Sequence, residues 1–146
     1  MLAAKSTSTV VQKERVTHEA QCHCGGLKFT VKMDNPFPTQ TVNKFNCTIC
    51  TQNGYVFVYP PRRDIHFTRG FESLGEYKFN TKLKTHRFCK TCGTSILVDF
   101  NGTVPAKRDT DHDILAINVR RTFTDIDMDS IVYTTFDGRK LIPRVD

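Results

Sequence analysis

The sequence has no apolar run approaching the ~18 residues a membrane-spanning helix needs. Its first twenty residues are polar and lack the apolar core of a signal peptide, so secretion is not expected. No long amphipathic helical pattern and no internal repeat can be read from it, which leaves short strands as the organising element. These absences point to a reducing, cytoplasmic setting. There, six cysteines are better read as metal ligands or reactive thiols than as disulfides.

With 146 residues, 38% of them hydrophobic, the chain has material for one core. Residues 1–15 mix Ser, Thr, Lys and Ala without periodicity and read as a flexible arm, followed by a single domain over 16–146. The 21 Lys and Arg against 15 Asp and Glu give a formal charge of +6. Four thiolates around one divalent ion would subtract two, leaving roughly +4. Such a surplus suits an acidic small molecule as well as a nucleic acid and does not choose between them.

From Val16 onward the pattern is that of short β-strands. Phe29, Val31 and Met33 alternate with Lys28, Thr30 and Lys32, the signature of a half-buried strand. Residues 34–38 carry two prolines and read as a loop. Residues 41–46 form a strand that leads into Cys47, and Asn53-Gly54 turns the chain into 55–59, apolar on both faces and therefore central. A short strand follows at 65–67. Residues 76–79 and 85–88 pair as a hairpin, with Tyr77 and Phe79 expected in the core. Further strands are expected at 95–100, 114–119 and 131–136, with a polar loop at 101–113 and a helical turn within 122–129. The whole reads as a mostly-β domain.

Phe88-Cys89-Lys90-Thr91-Cys92-Gly93 is a thiol pair on a tight turn, half of a tetrahedral zinc site. Cys22-His23-Cys24 supplies the other half. Its spacing is one residue shorter, but Gly25-Gly26 frees the backbone to turn both sulfurs to one centre. A structural zinc on Cys22, Cys24, Cys89 and Cys92 would then staple distant parts of the chain and contribute folding energy. Cys47-Thr48-Ile49-Cys50 is a third close pair. Thr48, Gln52, Asn53 and Tyr55 follow it closely enough to hydrogen-bond a substrate.

Taken together, Cys22-His23-Cys24-Gly25, the Cys47/Cys50 pair with Asn53-Gly54-Tyr55, Tyr77-Lys78-Phe79-Asn80-Thr81 and Phe88-Cys89-Lys90-Thr91-Cys92-Gly93 resemble the glutathione-dependent formaldehyde-activating enzyme family, which includes the centromere protein V domain. The resemblance covers about 16–136. It implies an Mss4-like β-tent with a structural zinc on Cys22, Cys24, Cys89 and Cys92. It also implies carbon–sulfur lyase chemistry, the joining of glutathione and formaldehyde into S-hydroxymethylglutathione or the reverse, with a small thiol adduct as partner and no membrane.

The family's second, catalytic zinc is held by a Cys-x-Cys-x-x-Cys pattern, and this chain departs from it. Phe45 stands where the first cysteine would be, and a phenyl ring cannot ligate a metal. Three readings follow. A second zinc is held more weakly by Cys47 and Cys50 with water or a histidine, His66 or His86. Alternatively the second zinc is absent, and a Cys47 or Cys50 thiolate acts as nucleophile or base in a pocket that includes Phe45, Thr48, Asn53 and Tyr55. Or the domain is a zinc-stapled binding module, with the basic, aromatic hairpin around 77–90 as its surface for nucleic acid. If the substrate is a glutathione conjugate, Arg87 and Lys90 are the expected carboxylate partners.

Overall fold

The computed structural model describes residues 15–33, 42–102 and 113–136. The expected arm, the loop at 34–38 and most of the loop at 101–113 lie outside the described residues.

Strands β1 (Val16–Gln21) and β2 (Lys28–Met33) pair antiparallel, joined by the first cysteine turn, and β5 (Ile65–Arg69) adds to the far side of β2. These three make one sheet. Phe29, Val31 and Met33 are buried while Lys28 and Lys32 face water, as the alternation predicts.

Among the described residues the second sheet has seven strands. They are β3 (Val42–Phe45), β4 (Phe57–Val58), β6 (Leu74–Tyr77), β7 (Thr85–Cys89), β8 (Ser95–Asp99), β9 (Leu115–Asn118) and β10 (Tyr133–Phe136), in the order β10-β3-β4-β9-β8-β7-β6. Its pairings are antiparallel except β10 with β3, which is parallel. Among the described residues no helix is long and apolar enough to cross a membrane. Two sheets and a few single-turn helices form the mostly-β architecture expected of the β-tent.

Several elements differ from expectation, for identifiable reasons. The strand at 55–59 shortens to Phe57–Val58, although Tyr55 through Val58 are all buried. The backbone of Val56 is taken up locally: its amide donates to Asn118 Oδ1 at 3.3 Å, and its carbonyl accepts from the Val119 amide at 2.8 Å. A helical turn, α1 (Thr48–Asn53), occupies the Cys47/Cys50 segment, ended by Gly54 in the left-handed region. The turn expected within 122–129 is displaced. The helical turn α2 (Val119–Thr122) comes earlier, and a 3-10 turn at Met128–Ser130 begins where Asp127 Oδ1 accepts from the Asp129 amide. Tyr77 is not a core residue. It is 52% exposed on edge strand β6, stacked on the half-buried Phe79.

The large sheet buries apolar side chains on both faces. Val56, Val58, Leu97, Leu115 and Ile117 pack with Phe29, Val31 and Met33 of the small sheet in the main core. The alternate residues, Tyr55, Phe57, Val98 and Ala116, form a second cluster with Cys47 and Cys50. Strand alternation thus separates a core between the sheets from an outer-face cluster beneath α1.

Candidate functional site

The two outer cysteine pairs meet. The sulfurs of Cys22, Cys24, Cys89 and Cys92 all lie within 4.8 Å of one another, a group that could hold a metal ion. The Cys22–Cys24 sulfurs are 3.6 Å apart and the Cys24–Cys89 sulfurs 3.7 Å. A tetrahedron with metal–sulfur bonds of about 2.3 Å has sulfur–sulfur edges of about 3.8 Å, close to these two separations, so four thiolates gathered here could share one ion.

Each turn is built to aim its sulfurs. In the first, the Cys22 amide donates to Leu27 O and the Gly25 amide to Cys22 O, with Gly25 at φ 77°. The Leu27 amide points at Cys22 Sγ, 3.3 Å away. In the second, the Gly93 amide closes on Cys89 O at 2.8 Å and the Cys92 amide faces Cys89 Sγ at 3.5 Å. Amides directed at sulfur favour the thiolate a metal requires. Thr94 joins the turns: its hydroxyl lies 3.1 Å from Cys92 Sγ and accepts from the His23 amide at 3.3 Å. That hydroxyl holds the Cys92 thiol down at about 5 despite a smaller opposing effect of burial. Arg69 fixes the first turn from behind, donating to Gly25 O through Nε and Nη2 at 3.1 and 2.7 Å. Gly70 lies so close that a Cβ there would sit 2.2 Å from Gly26 O.

Cys47 and Cys50 lie elsewhere, under the outer face of the large sheet, 2% and 8% exposed. Cys47 precedes α1 in extended conformation and accepts the Thr51 amide at its carbonyl, 2.9 Å away. Around the two thiols stand Tyr55, Phe57, Val98 and Ala116, flanked by Ile49, Tyr59 and Phe100. Burial pushes the Tyr55 phenol up to about 12 against a hydrogen bond from Asn53, with Cys50 and Cys47 adding to the rise. Tyr59 behaves alike, with Asn43 in place of Asn53. Both phenols are therefore protonated donors at neutral pH.

Of the residues expected here, Thr48 and Gln52 are exposed on α1 and Asn53 is half-buried beside the Tyr55 hydroxyl. Phe45 ends β3, paired with Phe136; its ring is not among the described side chains. Among the described residues the only group of three or more His, Cys, Asp and Glu side chains that could hold an ion is the four-cysteine cluster. Neither histidine completes a site with Cys47 and Cys50. His66 is exposed on β5 of the small sheet. His86 is buried on β7, with Nδ1 3.0 Å from the Tyr55 hydroxyl. Burial first, then the charge of Lys84, lower His86 to about 4, so its ring is neutral.

Arg87 does not face this cluster. His86 pairs with Val98 of the outer face and Arg87 with Leu97 of the inner core, so the two point to opposite sides. Arg87 Nη1 donates to Glu76 at 3.0 Å, and the guanidinium lies 4.8 Å from the Phe71 ring centre. Lys90 is exposed on the metal-cluster turn. Sequence reasoning missed the Tyr55–His86 pairing and the parts played by Tyr59, Asn43 and Phe100. Only strand register brings these residues together, and the single signal available was the strand parity shared by His86, Val98 and Ala116.

Residues 17–118 match the model of the glutathione-dependent formaldehyde-activating enzyme family. A crystal structure of a Rhodobacter sphaeroides protein is similar with a TM-score of 0.60 at 24% identity, over 80% of this chain and 99% of that one. At that identity the likeness concerns the fold.

Proposed function

This chain belongs to the glutathione-dependent formaldehyde-activating enzyme family, and we propose that it makes or breaks the carbon–sulfur bond of a small thiol–aldehyde adduct in the outer-face cluster. The observation that carries this reading is the convergence of two buried thiols, Cys47 and Cys50, with the phenols of Tyr55 and Tyr59 on a sheet face separate from the four-cysteine cluster.

The four-cysteine cluster is a structural zinc site. Its all-sulfur donor set, gathered within 4.8 Å, suits zinc, and four protein ligands leave no position for a substrate. Cys22, Cys24, Cys89 and Cys92 hold the ion, whose contribution is to join the β1–β2 turn to the β7–β8 turn.

A second, catalytic zinc does not fit the donors present. A catalytic zinc takes three protein ligands and an open position. Cys47 and Cys50 supply two, Phe45 supplies none, and no third metal-binding side chain joins them among the described residues. The pocket's own groups must then serve. A Cys47 or Cys50 thiolate acts as base toward the incoming thiol, or as nucleophile toward the aldehyde carbon. The apolar walls of Phe57, Val98 and Ala116 exclude water that would hydrate the aldehyde. Glutathione and formaldehyde are the substrate pair the family's description supports, and the cytoplasm is the compartment proposed for it.

The test is to mix 13C-formaldehyde with glutathione and follow adduct exchange by NMR with and without the protein. Exchange above the spontaneous rate, lost in Cys47→Ser and Cys50→Ser while one zinc per chain is retained, is the expected result. No acceleration by the wild-type protein would overturn the reading. A non-catalytic binding module gains some support from the exposed Tyr77, flanked by exposed Lys78 with Lys82 close in the same loop. It requires a steeply salt-dependent affinity for single-stranded nucleic acid.

A further inference from the structure

We propose that the Tyr55 hydroxyl is the proton donor to the aldehyde oxygen in this pocket, and that His86 is the positioning residue that aims it. The inference rests on the function proposed above and assigns the acid that chemistry needs. Adding a thiolate to a carbonyl turns the carbonyl oxygen into an alkoxide. Amid Phe57, Val98 and Ala116 an alkoxide without a donor would be prohibitively costly.

Tyr55 is placed to supply that donor. Its side chain belongs to the buried cluster that contains Cys47 and Cys50, and its ring packs on Phe57 at 4.5 Å between centres. The hydroxyl is held from behind by His86 Nδ1 at 3.0 Å. The imidazole is itself confined. It stacks on Tyr55 with centres 5.9 Å apart at 23°, and Phe79 and Tyr77 press on it at 5.3 and 6.4 Å. A ring held among three aromatic neighbours keeps Nδ1 on the phenol. In the tautomer that carries its hydrogen on Nδ1, the imidazole donates to the phenol oxygen, as Asn53 also does, and the phenol's own O–H is the group left to turn toward the reacting oxygen.

The step balances without a redox partner. The sulfur lone pair of the incoming thiolate forms the new carbon–sulfur bond, and the π pair of the carbonyl moves onto oxygen. That oxygen takes the Tyr55 proton. The proton shed by the incoming thiol returns to Tyr55, so one thiol and one aldehyde give one hydroxymethyl thioether, and the reverse step retraces the path.

The experiment uses the full chain, 13C-formaldehyde and glutathione, with exchange followed by NMR at saturating and sub-saturating glutathione. Tyr55→Phe is expected to lower kcat by about 100-fold or more, with KM changed less than about threefold. His86→Leu should lower kcat at least about tenfold. His86→Asn, which keeps an N–H near the Nδ1 position, should recover most of that loss, and a merely structural role would not produce the recovery. Zinc content and the near-ultraviolet circular dichroism spectrum verify the fold of each variant. Should Tyr55→Phe fail to fold, the two His86 variants decide the matter. Tyr55→Phe within about threefold of wild type, or His86→Asn no better than His86→Leu, would overturn the assignment while leaving the proposed function intact. Failure of the wild-type protein to accelerate exchange would sink the function and the acid assignment together.

Discussion

Melting temperature should track free zinc logarithmically, and the slope can be worked out before any affinity is known. An ion bound only by the folded chain stabilises it by RT ln(1 + [Zn]/Kd), about 4.1 kcal/mol at a thousand times Kd and about 1.4 kcal/mol for each further tenfold. For a chain of this size a kilocalorie moves the melting temperature by about 2–4 °C. Saturation to a thousand times Kd should therefore raise it by about 8–16 °C, and each decade of buffered zinc by about 3–6 °C. The sheets share a core independent of the ion, built from Phe29, Val31, Leu97, Leu115 and Ile117, so the stripped protein should still unfold cooperatively at a lower temperature. Cys24→Ala provides the control. Cys24 is exposed, whereas Cys22 and Cys89 are buried, so its loss removes a ligand and leaves the core filled. Its melting temperature should stay nearly flat over the same zinc series and match that of the chelated wild-type protein within about 2 °C. Thermal scans in zinc buffers measure both. A wild-type melting temperature indifferent to chelation, or a Cys24→Ala variant that responds like wild type, would refute the four-thiolate staple.

Further predictions follow from single contacts. Gly70→Ala should destabilise by about 3 kcal/mol or more in chemical denaturation and weaken zinc retention, because its φ is +88° and the new Cβ would meet Gly26 O at 2.2 Å. Gly93→Ala carries only the left-handed penalty, with nothing within 4 Å, and should cost about 1–2 kcal/mol. Arg87→Ala should leave the glutathione KM unchanged, since the guanidinium serves Glu76 and Phe71 on the opposite face; a severalfold rise would restore it to the pocket. His86, lowered by burial to about 4, binds its proton more weakly folded than unfolded. Its contribution to stability is thus full above about pH 6.5 and lost as pH falls toward 4, so His86→Asn should flatten the difference in denaturation midpoint between pH 7 and pH 5.

Much of the fold was legible because the residues that carry it act locally. The Phe29-Val31-Met33 alternation and the glycines beside each cysteine turn dictate their own backbone. The four-cysteine cluster was legible because thiol pairs on tight turns have few other uses. The outer-face cluster was not, for its members are spread over 43–116 and meet only through register. Tyr77 shows the limit of composition as a guide. An aromatic at a strand position reads as core, yet among the described residues β6 is the sheet's edge, and Tyr77 on it is half exposed. Arg87, the expected carboxylate partner, sits one residue from His86, yet adjacent strand residues point apart, and register turns Arg87 toward Glu76 and Phe71 rather than toward the outer cluster.

That parity ties the two halves of the molecule together. β4, β8 and β9 send Val58, Leu97 and Ile117 into the core against the small sheet, and Phe57, Val98 and Ala116 into the outer cluster. One set of backbones therefore fixes the core beside the four-cysteine cluster and the outer cluster alike, so the outer cluster cannot shift without disturbing the packing beneath it. Deleting one residue between Leu97 and Asp99 would exchange the faces downstream, sending the buried Asp99 carboxylate toward apolar surroundings and away from Arg62, which holds it at 2.7 Å. Trimming Val98→Ala instead keeps the parity and only hollows the outer cluster. The deletion should therefore abolish both zinc retention and cooperative unfolding. Val98→Ala should leave zinc bound while costing about 1–3 kcal/mol in chemical denaturation. If Val98→Ala released zinc as readily as the deletion, the two faces would not be the separable units that the strand alternation makes them.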